Sequence, residues 1–328
     1  MQAAVVTRPG GPEVFALREL PDPDPAPDEV LVAVRACGVS RPDLGMRRGA
    51  ARPTPGVRDD LPGMEIAGVV ERVGARGEEW RVGDRVMARI GGGGYGSKVA
   101  VHRGLLMAIP STLDFEQAAA VPDAFITAFD ALFLQCQAQP GESVLVHAVG
   151  SGVGIAAVQL AAVAGCRVFG TARSDEKLAR ARDLGLNVAI NAVQQDFVEA
   201  VAAETGGQGV EVILDLVGGS YWNANLRSAA MLGRLIAIGT LDGAVVETDL
   251  RLLQGKRLRI FGTNLQRRGF EERVLLARAF ARQVLPLFER RAVEPVIHRV
   301  YALAEVAEAH REMEANTNFG KIVLRHDA

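Results

Sequence analysis

The chain is poor in the residues that build metal centres, disulfide frameworks and base-stacking surfaces. Its 328 residues include three cysteines and five histidines. Cys37, Cys136 and Cys166 lack any close pairing spacing, which suits a reducing cytosol, and they read as small buried hydrophobes. His102, His147, His298, His310 and His326 are scattered without ligand spacing. Aromatic residues make up 5% of the chain, and no basic patch is interleaved with them. The balance of 37 basic against 39 acidic residues leaves a formal charge of −2, so no general attraction to nucleic acid or to an anionic membrane follows. The longest apolar run, over 155–164, is too short to cross a bilayer and contains Gln159. The opening Met1-Gln-Ala-Ala-Val-Val-Thr lacks the basic-then-apolar layout of a secretory signal and reads as a first strand, so a cytoplasmic protein is expected.

What the chain does have is a glycine turn in a telling place. Ser143-Val-Leu-Val-His147 reads as a buried strand, Ala148 to Gly154 as a tight turn, and the apolar stretch after it as a helix. Such a turn aims bare backbone N–H groups from a helix N-terminus, which is a seat for a pyrophosphate. Gly152 and Gly154 stand where a side chain would obstruct the phosphates or the helix–strand contact, with Val153 between them and the Ser151 hydroxyl beside them. The flanking elements repeat. A helix over 122–135 precedes the strand, and a strand over 167–172 and a helix over 174–184 follow. Further strands are expected over 210–216, 234–239 and 258–262. This alternation predicts a doubly wound parallel sheet, an α/β dinucleotide-binding domain over 122–265. Residues 1–121 are instead strand-rich, with runs over 29–36, 67–73, 84–90 and 97–101, and the glycine run 91–94 reads as a hairpin turn. Amphipathic helices and a closing strand over 321–324 occupy 266–328.

The end of the second strand bears on the choice between NAD and NADP. An NAD site ends this strand with a carboxylate that accepts bonds from the ribose hydroxyls and repels a 2′-phosphate. Here Ala172 holds that position, followed by Arg173 and Ser174, with Lys177 one turn later. All three can donate to a phosphate, so NADPH is the expected cofactor. Asp175 and Glu176 argue the other way, but acids suit the first turn of the next helix. Gly239 and Asn264 follow later strands, where ligands of doubly wound sheets gather.

With these residues in place the chain resembles the medium-chain dehydrogenase/reductase superfamily, and within it the zinc-independent quinone oxidoreductases of the p53-inducible type. Matching stretches run almost end to end, among them Gly38-Val-Ser-Arg-Pro-Asp-Leu44, Leu105-Leu-Met-Ala-Ile-Pro110, Ala118-Ala-Ala-Val-Pro122, the 147–159 turn, Asp215-Leu-Val-Gly-Gly-Ser-Tyr-Trp222 and Glu314-Ala-Asn-Thr-Asn-Phe-Gly-Lys-Ile-Val-Leu324. The resemblance implies a GroES-like catalytic domain built from both ends of the chain around an inserted Rossmann domain, and a homodimer in which the strand over 258–262 pairs with its twin. It places Ser40 near the substrate, with Arg41 and Asp43 shaping that loop, although Asp43 reads equally as a loop hydrogen-bonding residue. It places Thr127 near the nicotinamide carboxamide, and Asn318, Gly320 and Lys321 in a segment that reaches the cofactor.

Alcohol dehydrogenases of that superfamily bind zinc through a Gly-Val-Cys cysteine and a Gly-His-Glu histidine. Here Gly38-Val39-Ser40 and Gly63-Met64-Glu65 stand at those places, so no metal is expected. Hydride delivery to a plain ketone needs a Lewis acid or proton donor, whereas a quinone or a conjugated enone spreads the charge itself. The expected activity is NADPH-dependent quinone reduction, with enone or enoyl-thioester reduction and NADPH-regulated binding as the alternatives. Ala50, Ala51 and Arg52 follow Gly49 where many relatives carry a tyrosine, and Ala192 stands where relatives have a tyrosine against the adenosine phosphate. A more open pocket and a looser hold on NADPH are expected.

Overall fold

A computed structural model describes residues 1–54 and 56–326. The chain divides into two compact units, Met1–Ile126 with Gln266–Ala328, and Thr127–Leu265.

The first unit is organised by the long strand Glu29–Val39, whose alternate apolar residues are buried to 3% exposure or less. One edge of it pairs with Glu65–Val73 throughout, through two register irregularities. Its other edge pairs first with Lys98–His102 and then with Lys321–Arg325. The closing strand therefore lies beside the end of Glu29–Val39, next to Ser40, which brings residues nearly 300 positions apart into one layer. Ile297–Ala302 runs parallel to Lys321–Arg325, and Arg85–Arg89 pairs with Glu65–Val73. The expected first strand exists as Gln2–Val6, paired antiparallel with Phe15–Glu19. Two apolar clusters fill this unit, one around Ala4, Leu44, Tyr95 and Leu324, the other around Val32, Ile66, Val86 and Leu105.

The glycine run 91–94 is not the hairpin turn its composition predicts. Arg85–Arg89 and Lys98–His102, the strands on either side, pair with different partners and not with each other. Gly91, Gly92 and Gly93 all have positive φ, and the run crosses over the 61–63 segment through Gly93 N–H to Leu61 O and Tyr95 N–H to Pro62 O. Glycine is used here for close backbone approach as well as for the turn.

The second unit is a six-stranded parallel sheet. In chain order its strands are β1 (Ser143–Val146), β2 (Arg167–Ala172), β3 (Val188–Asn191), β4 (Val210–Asp215), β5 (Ala229–Ala237) and β6 (Arg259–Gly262). They lie in the order β3-β2-β1-β4-β5-β6, the doubly wound arrangement whose reversal between β1 and β4 opens a ligand crevice. Residues 145, 169, 213 and 235 stand in register across four neighbouring strands and form the centre of the apolar layer. Truncating one of these, Phe169→Ala, removes a fully buried ring and costs about 3–5 kcal/mol by cavity formation. Of these strands β3 was not set out from the sequence. The helix after β1, α1 (Gly152–Val163), is apolar nearly all round and buried. The helix after β2 is α2 (Asp175–Arg182). The expected helix over 122–135 is α-helical over Pro122–Phe129 and then widens to a π-helix over Asp130–Gln135.

Candidate active site

In the parallel unit the site begins at the glycine turn. Ala148 has φ +52°, a left-handed conformation that a non-glycine residue adopts only when the surroundings demand it. Its carbonyl oxygen lies so close to Gly154 that a Cβ there would collide with it. Ser151 caps α1 by accepting the Gly154 N–H at 3.0 Å, and Ser174 caps α2 by accepting the Lys177 N–H at 3.4 Å. Each hydroxyl keeps its own hydrogen for a ligand. Ser151, Gly152 and Val153 are half-exposed at the first turn of α1. Lys177 leans over the turn, since a Cβ on Gly150 would come within 2.8 Å of its Cδ. Arg173 is exposed at the end of β2, within electrostatic reach of Tyr221, whose hydroxyl pKa is raised by burial and pulled back partly by that charge. The Asp175 carboxylate is engaged elsewhere: Asn191 Nδ2 donates to it at 2.7 Å and Gln194 Nε2 at 3.2 Å. Gly239 follows β5, with Leu216 O only 2.7 Å from where its Cβ would be, and Asn264 is exposed after β6. Thr127 is half-buried on its helix. These groups form a cradle with a phosphate-seeking rim, and a dinucleotide fits the residues present.

A buried polar chain underlies this cradle that sequence reading missed. Thr171 Oγ1 meets His147 Nδ1 at 2.8 Å, His147 Nε2 meets Asn225 Oδ1 at 2.6 Å, and Asn225 Nδ2 donates to Asp215 Oδ2 at 3.0 Å. Asp215 Oδ1 then accepts the backbone N–H groups of Val217 and Gly218. Burial pushes the His147 pKa down. A neutral ring with hydrogen on Nε2 satisfies both contacts. The chain thus ties together the ends of β1, β2 and β4.

The other unit carries a buried charge cluster. Lys321 is 6% exposed, and its ammonium has three partners: Glu65 Oε1 at 2.7 Å, Ser40 Oγ at 2.8 Å and Val39 O at 2.9 Å. Burial alone would lower its pKa, but the Glu65 and Asp123 carboxylates hold it above the ordinary ammonium value. Glu65 is fully buried, and its other oxygen accepts the Asp123 N–H at 2.6 Å. It can lie there only because residue 38 is glycine, where a Cβ would strike its carboxylate and the Ala119 carbonyl. Asp123 pairs with Arg89 Nε at 2.8 Å. Burial would raise the Asp123 pKa, but the Arg89 and Lys321 charges and hydrogen bonds from Arg89 and Ser40 bring it below the usual carboxylate value.

The expected residues of this unit have these surroundings. Asp43, expected to shape the substrate loop, is fully buried with both oxygens used on backbone: Ser40 N–H at 2.8 Å and Gly63 N–H at 2.8 Å. Burial raises its pKa to about 7 despite those bonds. It holds the loop from beneath and has no face for a substrate. Lys321, expected at the cofactor, has all three ammonium hydrogens committed to the cluster. Asn318 and Gly320 shape the approach to it: Asn318 Nδ2 donates to Gly320 O at 2.8 Å, and Gly320, φ +92°, packs against Val296 O where a Cβ would collide. Ser40 is brought to the cluster as the hydroxyl that touches both Lys321 and, at 3.4 Å, Glu65. Glu65, Arg89 and Asp123 were not anticipated, and only the Gly63-Met64-Glu65 motif pointed at one of them.

The zinc-ligand positions can now be tested on geometry. Ser40 replaces the thiolate, Met64 is sealed in the core, and the Lys321 ammonium sits on the Ser40 hydroxyl. Among the described residues no three His, Cys, Asp or Glu side chains converge to hold a metal. Zinc does not fit this donor set.

Comparison with known proteins gives the family. Residues 26–111 match the alcohol dehydrogenase GroES-like domain and residues 152–280 match the zinc-binding dehydrogenase domain. A quinone oxidoreductase of Pseudomonas aeruginosa is 34% identical, over 96% of each chain, and that of Rattus norvegicus is 32% identical, over 99% of this chain and 97% of the relative. Among solved structures, a mycobacterial protein complexed with NADPH superposes with a TM-score of 0.89 at 29% identity, and CurK enoyl reductase with 0.89 at 27%, each over 99% of both chains. An NAD-dependent alcohol dehydrogenase superposes with 0.88 at 30% identity, also over 99% of both. The chain belongs to the medium-chain dehydrogenase/reductase family of oxidoreductases.

Proposed function

We propose that this enzyme reduces quinones with NADPH and without zinc. The observation that carries the reading is the Lys321 ammonium seated on Ser40, at the place that matches the zinc-binding cysteine of alcohol dehydrogenases. A cation bound covalently to the chain and consumed by Glu65, Ser40 and Val39 has no open position at which to polarise a carbonyl. The acceptor must therefore stabilise its own negative charge, as a quinone or conjugated carbonyl does.

The dinucleotide, when bound, supplies the hydride. The chain's own groups bind and orient it. Ser151 O–H and the N–H groups at the start of α1 face the pyrophosphate, while Arg173, Ser174 and Lys177 receive the 2′-phosphate. NADPH over NADH is supported by the absence of a free carboxylate at the end of β2: Ala172 stands there, and Asp175 is held by Asn191 and Gln194. Ser40, Asp43 and Glu65 set the loop against which an acceptor rests, with Asp43 fixing its backbone.

Steady-state assays with 1,4-benzoquinone and 1,2-naphthoquinone test the proposal: NADPH consumption by either supports it, and no turnover of any quinone refutes it. The similarity to an enoyl reductase favours a second reading, reduction of a conjugated carbon–carbon double bond. Faster turnover of an enone or enoyl thioester than of quinones would establish it instead.

The strand β6 is the last of its sheet and among the described residues pairs only with β5, so its outer edge is open, and Ile260 on β6 and Met231 on β5 are exposed. An open edge invites pairing with a second copy. A homodimer is proposed, and sedimentation showing only monomer at micromolar concentration would refute it. No helix of the described residues is long and apolar enough to cross a membrane. The three buried thiols, all free, accord with a cytoplasmic protein.

A further inference from the structure

The chain has three tyrosines, and two of them have their hydroxyls bonded: Tyr95 O–H meets His310 Nε2 at 2.8 Å, and Tyr301 O–H donates to Glu312 Oε2 at 2.9 Å. The third, Tyr221, is half-buried after β4, on the turn Gly219–Tyr221. Its hydroxyl has no hydrogen-bond partner among the described residues, and it is not sealed from solvent. Burial raises its pKa, so at neutral pH the oxygen keeps its hydrogen and can donate it.

The ring beneath that hydroxyl is held in place. It meets the His147 ring edge-on, with centroids 4.8 Å apart, and the Phe197 ring at 5.1 Å. His147 Nδ1 in turn meets Thr171 Oγ1 on β2 at 2.8 Å. Arg173 stands two residues beyond Thr171, the spacing that returns an extended chain to the same face. It is exposed, and its charge pulls the Tyr221 pKa part of the way back down. A fixed donor and a cation thus share the end of β2, the donor coming from the β4 side.

The opposite flank offers nothing comparable. Ala192 N–H bonds to Ala172 O at 3.0 Å, which sets the chain after β3 beside the end of β2, but its side chain is a methyl group. The amides there, Asn191 and Gln194, already donate to Asp175. The acids on the Tyr221 side are engaged as well. Asp242 accepts the Ser220 N–H and O–H, and Asp215 accepts the Val217 and Gly218 N–H groups. Among the described residues neither carboxylate pairs with Arg173.

We propose that the Tyr221 hydroxyl donates to the 2′-phosphate of NADPH opposite Arg173, making Tyr221 a residue that selects the phosphorylated cofactor. A hydroxyl on a fixed ring loses little freedom when it binds, and the charge of a phosphate oxygen strengthens the bond. The inference rests on the NADPH reading and adds to it a donor from outside the 171–177 segment.

The test is calorimetry with NADPH, NADH and 2′,5′-ADP on the wild type and on Tyr221→Phe, which keeps the ring and its packing on His147 and Phe197. The dissociation constants for NADPH and 2′,5′-ADP are expected to rise about tenfold, with that for NADH within about twofold of the wild type. An NADPH constant left unchanged overturns the proposal. So does equal weakening of NADPH and NADH, which would put the hydroxyl on a part that the two cofactors share. Failure of the NADPH reading looks different: the wild type itself would bind NADH as tightly as NADPH, which rejects the proposal along with the reading.

Discussion

The two units make their sites in opposite ways. The proposed dinucleotide cradle is assembled from neighbours in sequence: residues 147–154 form the turn and 171–177 the rim, and it offers chiefly backbone N–H groups. The charge cluster is assembled from residues 39, 40, 65, 89, 123 and 321, and charged side chains carry most of it, with the Val39 carbonyl and the Asp123 N–H completing their bonds. A site built from backbone tolerates changes of side chain but not of shape. A site built from buried charges tolerates neither partner being removed alone.

The sharpest way to break that comparison is to remove the cluster's only ammonium. Lys321→Met leaves the Glu65 carboxylate buried without its counter-charge, and urea unfolding is expected to show a loss of about 3–5 kcal/mol. A loss below about 1 kcal/mol would mean that Glu65 takes up a proton at little cost. The corresponding change in the cradle is one of shape. Gly154→Val drives a side chain into the Ala148 carbonyl, and calorimetry should give an NADPH dissociation constant raised about a hundredfold or more. Binding within threefold of the wild type would remove the glycine turn from the cofactor site.

Smaller effects sharpen the contrast. Lys177→Ala and Arg173→Ala should each weaken NADPH about tenfold while leaving NADH nearly unchanged, because only the 2′-phosphate distinguishes the cofactors. Equal effects on both would show that these side chains meet some other part of the nucleotide. A separate effect is one of pH. The Asp43 pKa in the folded chain, about 7, lies above its ordinary value. Its protonated form is therefore favoured by folding, and the stability this contributes is present below about pH 4 and lost as pH rises towards 7. Relative to Asp43→Asn, the wild type should lose stability across that interval, as read from thermal unfolding at each pH. Parallel profiles would place the Asp43 pKa near its unfolded value.

The same contrast explains what could be read from the sequence. The parallel unit announced itself, since strand, glycine turn, helix and second strand are contiguous and each has its own period and punctuation. The strand Val188–Asn191 was not set out because no glycine marks its end, as glycines do after Ser143–Val146 and at Gly262. In the other unit the strands were visible but their pairing was not. The glycine run 91–94 carried the composition of a hairpin turn, yet the flanking strands belong to different neighbours, and nothing local distinguishes the two cases. The sequence gives no sign of where the Lys321 ammonium goes, because only the pairing of 321–325 with 36–39 brings it to Ser40. Asp43 carried both a substrate-loop reading and a backbone-bonding one. Its two backbone bonds, to Ser40 and Gly63, decide for the second. Long-range charge pairing leaves no periodic trace along a chain.

The central claim is that a lysine stands where relatives hold a metal, so that reduction proceeds on the acceptor's own ability to spread charge. The direct measurement is NADPH oxidation by 1,2-naphthoquinone before and after exhaustive dialysis against a chelator, with metal content read by elemental analysis. Unchanged turnover in metal-free protein is the predicted result. Activity lost on dialysis and restored by stoichiometric zinc would contradict the account.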